Sequence, residues 1–342
     1  MRKAIGIKKI IIVISLVFFT FTLFAGAQTV KPVQKDEYNI AYIGKALGVA
    51  WYESLRDALV DEFKKIAKEN NVVINVSTQE CQNRPEVQVE YMRAATMRKV
   101  DAMMLLTTDA YAAIPEVIEA NKAAIPVITV VDAIYGGEIL CDITYDYVES
   151  GRMPARYIVE KLTERYGKPE GKVVELTAIL GASTTMDRTK GFNEVINQYP
   201  GIDLIAQQAF NFSPDLAITV FTNILQSNPK IDAVYAHTDE GIQGVIQASK
   251  SMGRFYPIGH PEHIITVGSD APYVGLEQIR KKEQDATIDM GSVVPARKAA
   301  RVVWDYIRNG VIPTKQIKMS LELIDTPEKT LDPNLWGNIY KL

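Results

Sequence analysis

Four aspartates close four short apolar runs of this chain, and they are its most chemically suggestive residues. Asp109 follows Met103-Met104-Leu105-Leu106-Thr107-Thr108, and Asp132 follows Val127-Ile128-Thr129-Val130-Val131. Asp239 follows Ala233-Val234-Tyr235-Ala236-His237-Thr238, and Asp270 follows Ile265-Thr266-Val267-Gly268-Ser269. A carboxylate at the carboxyl edge of a parallel strand stands where open α/β sheets bind ligands. Ionised, it accepts two hydroxyl groups in strong charge-assisted bonds. Asp270 fits that role best, Asp239 has the same placement, and Asp132 is a further candidate; Asp109 reads mainly as a cap for the following helix. Trp51 and Tyr52 open the first helix at the same edge. A rigid aromatic covers the C–H face of a polyol at low entropy cost. Adjacent helical residues point in different directions, so one of the pair should reach the ligand, Trp51 before Tyr52. Asp187 and Arg188 begin another helix, and the Arg188 guanidinium can fork two hydroxyls or pair with an acid.

Other chemistries are poorly supplied. The chain has no Gly-x-Gly-x-x-Gly, Walker loop, Gly-x-Ser-x-Gly or Cys-x-x-Cys. His260-Pro261-Glu262-His263 lies in a Gly/Pro-rich stretch and reads as a surface loop, not as a helical metal pair. His237 is the only other histidine, so acid–base catalysis has few candidates. The acids at polar strand tips are expected to stay ionised, which disfavours a two-carboxylate hydrolase.

The elements that position these residues come in two similar sets. Lys99-Val100-Asp101-Ala102 leading to Asp109 is echoed by Lys230-Ile231-Asp232-Ala233 leading to Asp239. Pro126 to Asp132 is echoed, in the same order, by Ile264 to Asp270. Strands are expected at Asn39–Gly44, Val72–Ser77, Ala102–Leu106, Val127–Val131 and Ile139–Thr144, with helices between them near Ala50–Asn70, Pro85–Arg98 and Ala110–Ala123. After helix Val148–Arg165 the pattern restarts with strands Val173–Ala178, Leu204–Ala209, Ala233–Ala236 and Ile264–Val267. Its helices fall near Asp187–Gln198, Pro214–Gln226, Gly241–Ser251 and Tyr273–Lys281, and a last unit comprises Ala286–Met290, Val294–Arg308 and Ile317–Ile324. Such alternation predicts parallel sheets covered on both faces. Two similar α/β halves imply two Rossmann-like lobes with a cleft between them. The irregular tail Asp325–Leu342 carries Trp336 and Tyr340 and is expected to pack onto a lobe.

The N-terminus reads as a secretory leader. Arg2, Lys3, Lys8 and Lys9 precede an apolar run from Ile10 to Phe24, and Ala25-Gly26-Ala27 supplies the small-residue cleavage site before Gln28. An uncleaved anchor is the alternative, and no lipoprotein cysteine lies nearby. Removing residues 1–27 takes away four positive charges, so the formal charge of −3 becomes −7. An acidic exported chain without a basic run is a poor nucleic-acid binder. Cys81 and Cys141, the only cysteines, fall on opposite sides of a 2-1-3-4-5 sheet and are expected to be free thiols.

The order of motifs resembles the type I periplasmic sugar-binding proteins of ABC importers, the branch that includes ribose- and galactose-binding proteins. The likeness spans residues 38–325. It is carried by Ile40-Ala41-Tyr42-Ile43 leading to Trp51-Tyr52, by Ala124-Ile125-Pro126-Val127-Ile128-Thr129, and by Asp187-Arg188-Thr189-Lys190-Gly191-Phe192. Val267-Gly268-Ser269-Asp270 and Asp285-Ala286-Thr287-Ile288 continue it. The resemblance implies a Venus-flytrap fold with three hinge crossings, here near Tyr145, Gly291 and Met319–Leu321. One lobe would comprise 38–144 plus 291–320, and the other 145–290 plus 321–342. It also implies an aromatic contact at Phe212 and a polar one at Thr238, where ribose binders carry Asn. Ribose binders further have Asn for Val49, an Asp-Arg pair for Val131-Asp132, Arg for Met186, Phe for Ser269 and Gln for Met290, which argues against ribose itself. Lys45-Ala46-Leu47-Gly48-Val49 is similar to the autoinducer-2 and rhamnose branch, in which a Lys at the place of Lys45 contacts ligand, although that branch's Asp-Ser-Asp is missing after Thr129.

The resemblance thus implies a monomeric periplasmic binding protein, not an enzyme. It would need no cofactor or metal, take a sugar or cyclitol, and pass it to a membrane permease. A hexose, an inositol-like cyclitol and a modified sugar remain open as ligands. The alternatives are an exported sugar-acting enzyme and a sensory protein presenting ligands, autoinducer-2-like ones included, to a receptor.

Overall fold

The computed structural model describes residues 34–180 and 182–341. The expected leader lies outside the described residues. Twelve strands build two sheets of six. The first uses β1 (Glu37–Gly44), β2 (Val73–Glu80), β3 (Ala102–Leu105), β4 (Val127–Val130), β5 (Cys141–Tyr145) and, from far along the chain, β11 (Gln316–Met319). The second uses β6 (Gly171–Thr177), β7 (Ile202–Ala209), β8 (Ala233–Ala236), β9 (Ile265–Ser269), β10 (Ala286–Asp289) and β12 (Glu322–Ile324). Their orders, β2-β1-β3-β4-β5-β11 and β7-β6-β8-β9-β10-β12, are the same pattern twice. Every pairing is parallel except β12 with β10. The expected two-lobed α/β fold is therefore present.

The helices are α1 (Ala50–Asn70), α2 (Pro85–Met97), α3 (Ile114–Lys122), α4 (Tyr147–Tyr166), α5 (Ser183–Ile196), α6 (Pro214–Ser227), α7 (Asp239–Ser251), α8 (Tyr273–Arg280), α9 (Val293–Asn309) and the short α10 (Trp336–Ile339). They cover both faces of each sheet, because central parallel strands are apolar on both sides. Leu55, Leu59, Phe63 and Ile66 of α1 repeat at helical spacing and are fully buried with Val303 and Trp304 of α9. Each contributes about 1.5–3 kcal/mol by burial. On the opposite face of that sheet, Met92 and Val117 pack under α2 and α3. The second lobe repeats the plan, with Leu162 and Phe192 on one face and Phe221 and Val245 on the other. Local rules set the helix starts. Asp146 caps α4 by accepting from the Glu149 N–H (3.0 Å), and Ser213 caps α6 ahead of Pro214. The α3 helix begins later than expected, because Asp109 first accepts from the Tyr111 and Ala112 N–H groups (2.8 Å each) and holds a turn.

The chain passes between the sheets from β5 to α4, from β10 to α9, and from β11 to β12. The last passage splits what the sequence suggests as one strand, Ile317–Ile324. The passages are tied together: Tyr145 Oη donates to the Gly291 carbonyl (2.6 Å), Ser54 Oγ bonds Ser292 Oγ (2.6 Å), and Lys318 pairs with Asp146 (2.8 Å). Cys81 and Cys141 are free and buried, separated across the sheet by β1, β3 and β4. His263 departs from the surface-loop expectation. It is buried, its Nδ1 donates to the Tyr256 carbonyl (2.8 Å), and its Nε2 stands 2.9 Å from Asp285. The loop turns outward at His260 and inward at His263 to fix the start of β9.

Candidate functional site

Each lobe turns the carboxyl ends of its strands towards the other, and the two edges carry matched backbone distortions. Val131, just after β4, has φ 75°, and Asp270, just after β9, has φ 85°. Each donates its N–H to the neighbouring strand, Val131 to Ile143 O (2.6 Å) and Asp270 to Ile288 O (2.9 Å). Left-handed conformations are costly for such residues and persist where the surroundings enforce them. The match makes Val131, not Asp132, the counterpart of Asp270. Asp132 is pushed one residue out, to the tip. A second matched pair follows β2 and β7: Gln82–Asn83 (φ 55° and 56°) and Asn211–Phe212 (φ 51° and 61°).

Lobe one contributes an ion pair. Lys45, immediately after β1, lies 2.6 Å from the Asp132 carboxylate, and both side chains are largely buried. Burial disfavours the lysine charge, but Asp132 outweighs it and holds the Lys45 pKa above its ordinary value. The ammonium sits 5.7 Å from the centre of the Tyr52 ring. Tyr52 thus takes the position beside the charges. Trp51 turns away, donating Nε1–H to the Met290 carbonyl at the second crossing (3.0 Å) and standing edge-on to Tyr52. The preference between the two aromatics is the reverse of that expected, because the first turn of α1 aims Trp51 at the hinge.

Lobe two contributes a looser pair. Arg188 is 5% exposed. Its Nη2 is 3.4 Å from Asp270 Oδ1 and 3.5 Å from Met290 Sδ, and it lies 5.2 Å from the Tyr147 ring centre. The Arg188 Nε–H has no hydrogen-bond partner among the described residues. Burial pushes Asp270 up to about 7, with Glu240 and Asp289 adding to the rise and Arg188 opposing it. The expectation that the tip carboxylates stay fully ionised therefore fails at Asp270, because one long contact to Arg188 does not offset desolvation. Unpartnered hydroxyls collect at the same edge, Thr177 at the end of β6, Thr185 in the first turn of α5, Thr238 after β8 and Ser269 at the end of β9, and Thr107 beyond β3 adds one on lobe one. Buried polar groups are rarely left so.

Asp239 is placed elsewhere. It is fully buried and accepts from Ala271 N–H (3.0 Å), Gln284 Nε2 (2.5 Å) and Thr287 Oγ1 (2.7 Å), all within its own lobe. As the first residue of α7 it points back into the sheet, and Thr238 holds the outward position. Asp187 is half-buried beside Arg188. Phe212 is 39% exposed, supported edge-on by the buried Phe210. Lys45, Tyr52, Asp132, Arg188, Thr238 and Asp270 thus gather at the facing edges, with Phe212 at the rim. Sequence reasoning missed Tyr147, which lies under the Arg188 guanidinium; first in α4 after the Asp146 cap, it had a legible signal. Behind this wall His237 is buried against Glu175, Nε2 to Oε1 at 2.8 Å, while Ala178 N–H donates to its Nδ1 (3.3 Å). That arrangement puts the ring proton on Nε2.

Two α/β lobes with three passages between them and polar groups facing across the cleft define a binding protein of the hinged, two-lobed class. A model of the periplasmic binding protein domain matches residues 40–310. The chain belongs to that family. It is 28% identical to the ribose import binding protein of Bacillus subtilis over 326 residues, 94% of this chain and 99% of the relative. A periplasmic solute-binding protein of an ABC transporter from Actinobacillus succinogenes, solved with D-allose, superposes with a TM-score of 0.75 at 23% identity, covering 86% of this chain and 99% of that one. The myo-inositol binding protein of Caulobacter, bound to myo-inositol, gives 0.75 at 24% identity over 87% and 96%.

Proposed function

We propose that this protein captures an uncharged, polyhydroxylated small molecule, a monosaccharide or cyclitol, between its lobes. It works as an exported monomer, cleaved before Gln28, and hands the ligand to the permease of an ABC importer. The reading is supported above all by one observation: a buried guanidinium with an unpartnered N–H, beside Asp270 and several unpartnered hydroxyls, on an edge that faces a second lobe. The charges there pair, Lys45 with Asp132 and Arg188 with the ionised form of Asp270, so a neutral ligand whose hydroxyls donate to Asp270 leaves no buried charge uncompensated. Lys45, Tyr52, Asp132, Arg188, Thr238 and Asp270 are the proposed contacts. Relatives that take ribose, D-allose and myo-inositol belong to the same ligand class. Closure would bury the ligand and shape the surface a permease reads.

The test is identification by mass spectrometry of whatever co-purifies, followed by titration calorimetry with that compound and with D-ribose, D-allose and myo-inositol. Micromolar or tighter binding of one uncharged polyol, recovered unchanged after incubation, supports the proposal. Conversion of the polyol establishes the enzyme alternative, and binding only of charged compounds refutes the assignment of ligand class.

A further inference from the structure

The chain beyond residue 310 lies outside the family-matched region, yet its last turns touch the proposed site. Asp270 and Ala271 are two consecutive left-handed residues, neither of them glycine (φ 85° and 52°). Three bonds fix the backbone here: Asp270 N–H to Ile288 O holds the peptide before Asp270, while Ala271 N–H to Asp239 Oδ2 (3.0 Å) and the indole N–H of Trp336 to the Asp270 carbonyl hold the peptide after it. The first two come from the lobe itself. The third comes from the C-terminal segment.

That segment is anchored on both sides of the hinge. Arg280 of α8 binds Thr330 O (2.6 Å) and Asn338 Oδ1 (2.7 Å), and Leu335 packs with Ala271, Leu276 and Ile279 of the second lobe. Trp336, 3% exposed, joins the first lobe's cluster with Leu55, Leu59 and Val293, and Tyr340 packs against the same cluster. Trp336 also leans on the second crossing, where a Cβ on Gly291 would lie 2.7 Å from its Cδ1. Gly337 brings the backbone equally close, since a Cβ there would lie 2.6 Å from Ala271 O.

We propose that Trp336 is a positioning residue for ligand binding: its indole N–H holds the Asp270 backbone in the left-handed conformation that aims the carboxylate into the cleft. The role rests on Asp270 being a ligand contact. Strain of this kind is kept only where the surroundings over-determine it, and removing one of three restraints lets the peptide relax.

The test compares the full-length protein with Trp336→Phe, which keeps a ring but loses the N–H, and with Asp270→Ala and the double variant. In the ligand-free protein, exchange of the Ala271 amide is expected to rise about five- to tenfold in Trp336→Phe, the worth of one hydrogen bond, with β8 amides unchanged. The tightest binder among D-ribose, D-allose and myo-inositol is expected to weaken by about the same factor, with the melting temperature falling a few degrees because the buried ring shrinks and one hydrogen bond is lost. In the Asp270→Ala background Trp336→Phe should cost nothing more. Unchanged Ala271 exchange, or an affinity loss that adds to that of Asp270→Ala, overturns the proposal. If Asp270→Ala leaves affinity intact, the reading of the cleft fails while the exchange measurement still decides what Trp336 does; if none of the three polyols binds, the exchange measurement alone decides it.

Discussion

Replacing Asp270 with Asn should make the empty protein more stable and the binding protein worse, and pH should separate the two effects. The carboxyl pKa stands at about 7 in the folded chain against an ordinary 3.8. A raised acid contributes stability that is complete below 3.8 and is lost as pH climbs through about 7, because the folded state keeps a proton that the unfolded chain has given up. The full shift of about three units corresponds to about 4 kcal/mol, most of it from burial. About 2–3 kcal/mol of that falls between pH 5 and pH 8. Asn does not titrate, so its advantage over the wild type should widen by that amount across the interval, several degrees in melting temperature for a chain of this size. The assay is calorimetric melting of ligand-free protein at both pH values. Affinity should move the other way. A hydroxyl that loses its charged acceptor costs about 2–3 kcal/mol, or 30–150-fold. A variant that melts lower than the wild type at pH 8 would refute the desolvation argument and mark Asp270 as a stabilising ion-pair partner of Arg188.

Lys45→Met should leave Asp132 without its cation and weaken binding by about 1–3 kcal/mol; unchanged affinity in calorimetry removes this pair from the site. Burial first, and Arg188 nearby, hold His237 below its ordinary pKa against the pull of Glu175. Below about 6.5 the unfolded chain therefore takes up a proton that the folded one refuses, so His237 removes stability as pH drops, against the opposite contribution of Asp270. Relative to the wild type, His237→Gln should gain stability as pH falls from 7 to 5 in a melting series. His263 is shifted upward by Asp285 against the effect of burial, so it acts with the opposite sign and remains in both proteins. Intact-mass measurement of protein from the cell envelope should give an N-terminus at Gln28 or within a few residues; a retained Met1 contradicts the leader.

The fold was legible because it is written twice. Alternating apolar strands and amphipathic helices recur in the same order, and the two sheets repeat that order in space. Less legible was anything decided by one residue of register. The split of Ile317–Ile324 into β11 and β12 depends on a crossing within a stretch of unbroken strand character. Asp239 and Asp270 look equivalent in sequence, yet Asp239 begins α7 and turns inward to three donors. The left-handed residue at Asp270 throws its side chain outward. Trp51 and Tyr52 differ by 100° around α1, and only the position of the Met290 carbonyl decides which one faces Lys45.

The same one-residue logic explains why the two lobes, built alike, present different chemistry. At the end of β9 the left-handed position is itself the acid, so Asp270 is held rigidly at the edge, with Arg188 its only ion-pair partner among the described residues. At the end of β4 that position is Val131, and the acid follows at Asp132, one step further out and within reach of Lys45. Lobe one therefore meets a ligand with an already satisfied ion pair, which can share hydrogen bonds. Lobe two meets it with a carboxyl near neutrality and a guanidinium that still has an N–H to give. Ligand hydroxyls that donate to Asp270 stabilise its ionised form, so binding should draw the Asp270 pKa down and release a proton near pH 7. Affinity should then fall as pH drops below about 7, and the heat of binding should vary with the ionisation enthalpy of the buffer. Because Lys45 is held above its ordinary pKa and stays charged throughout, that dependence is assigned to lobe two. Its disappearance in Asp270→Asn, with the Lys45 variant retaining it, is the expected result; a pH-independent affinity in the wild type refutes the assignment of Asp270 as the titrating acceptor.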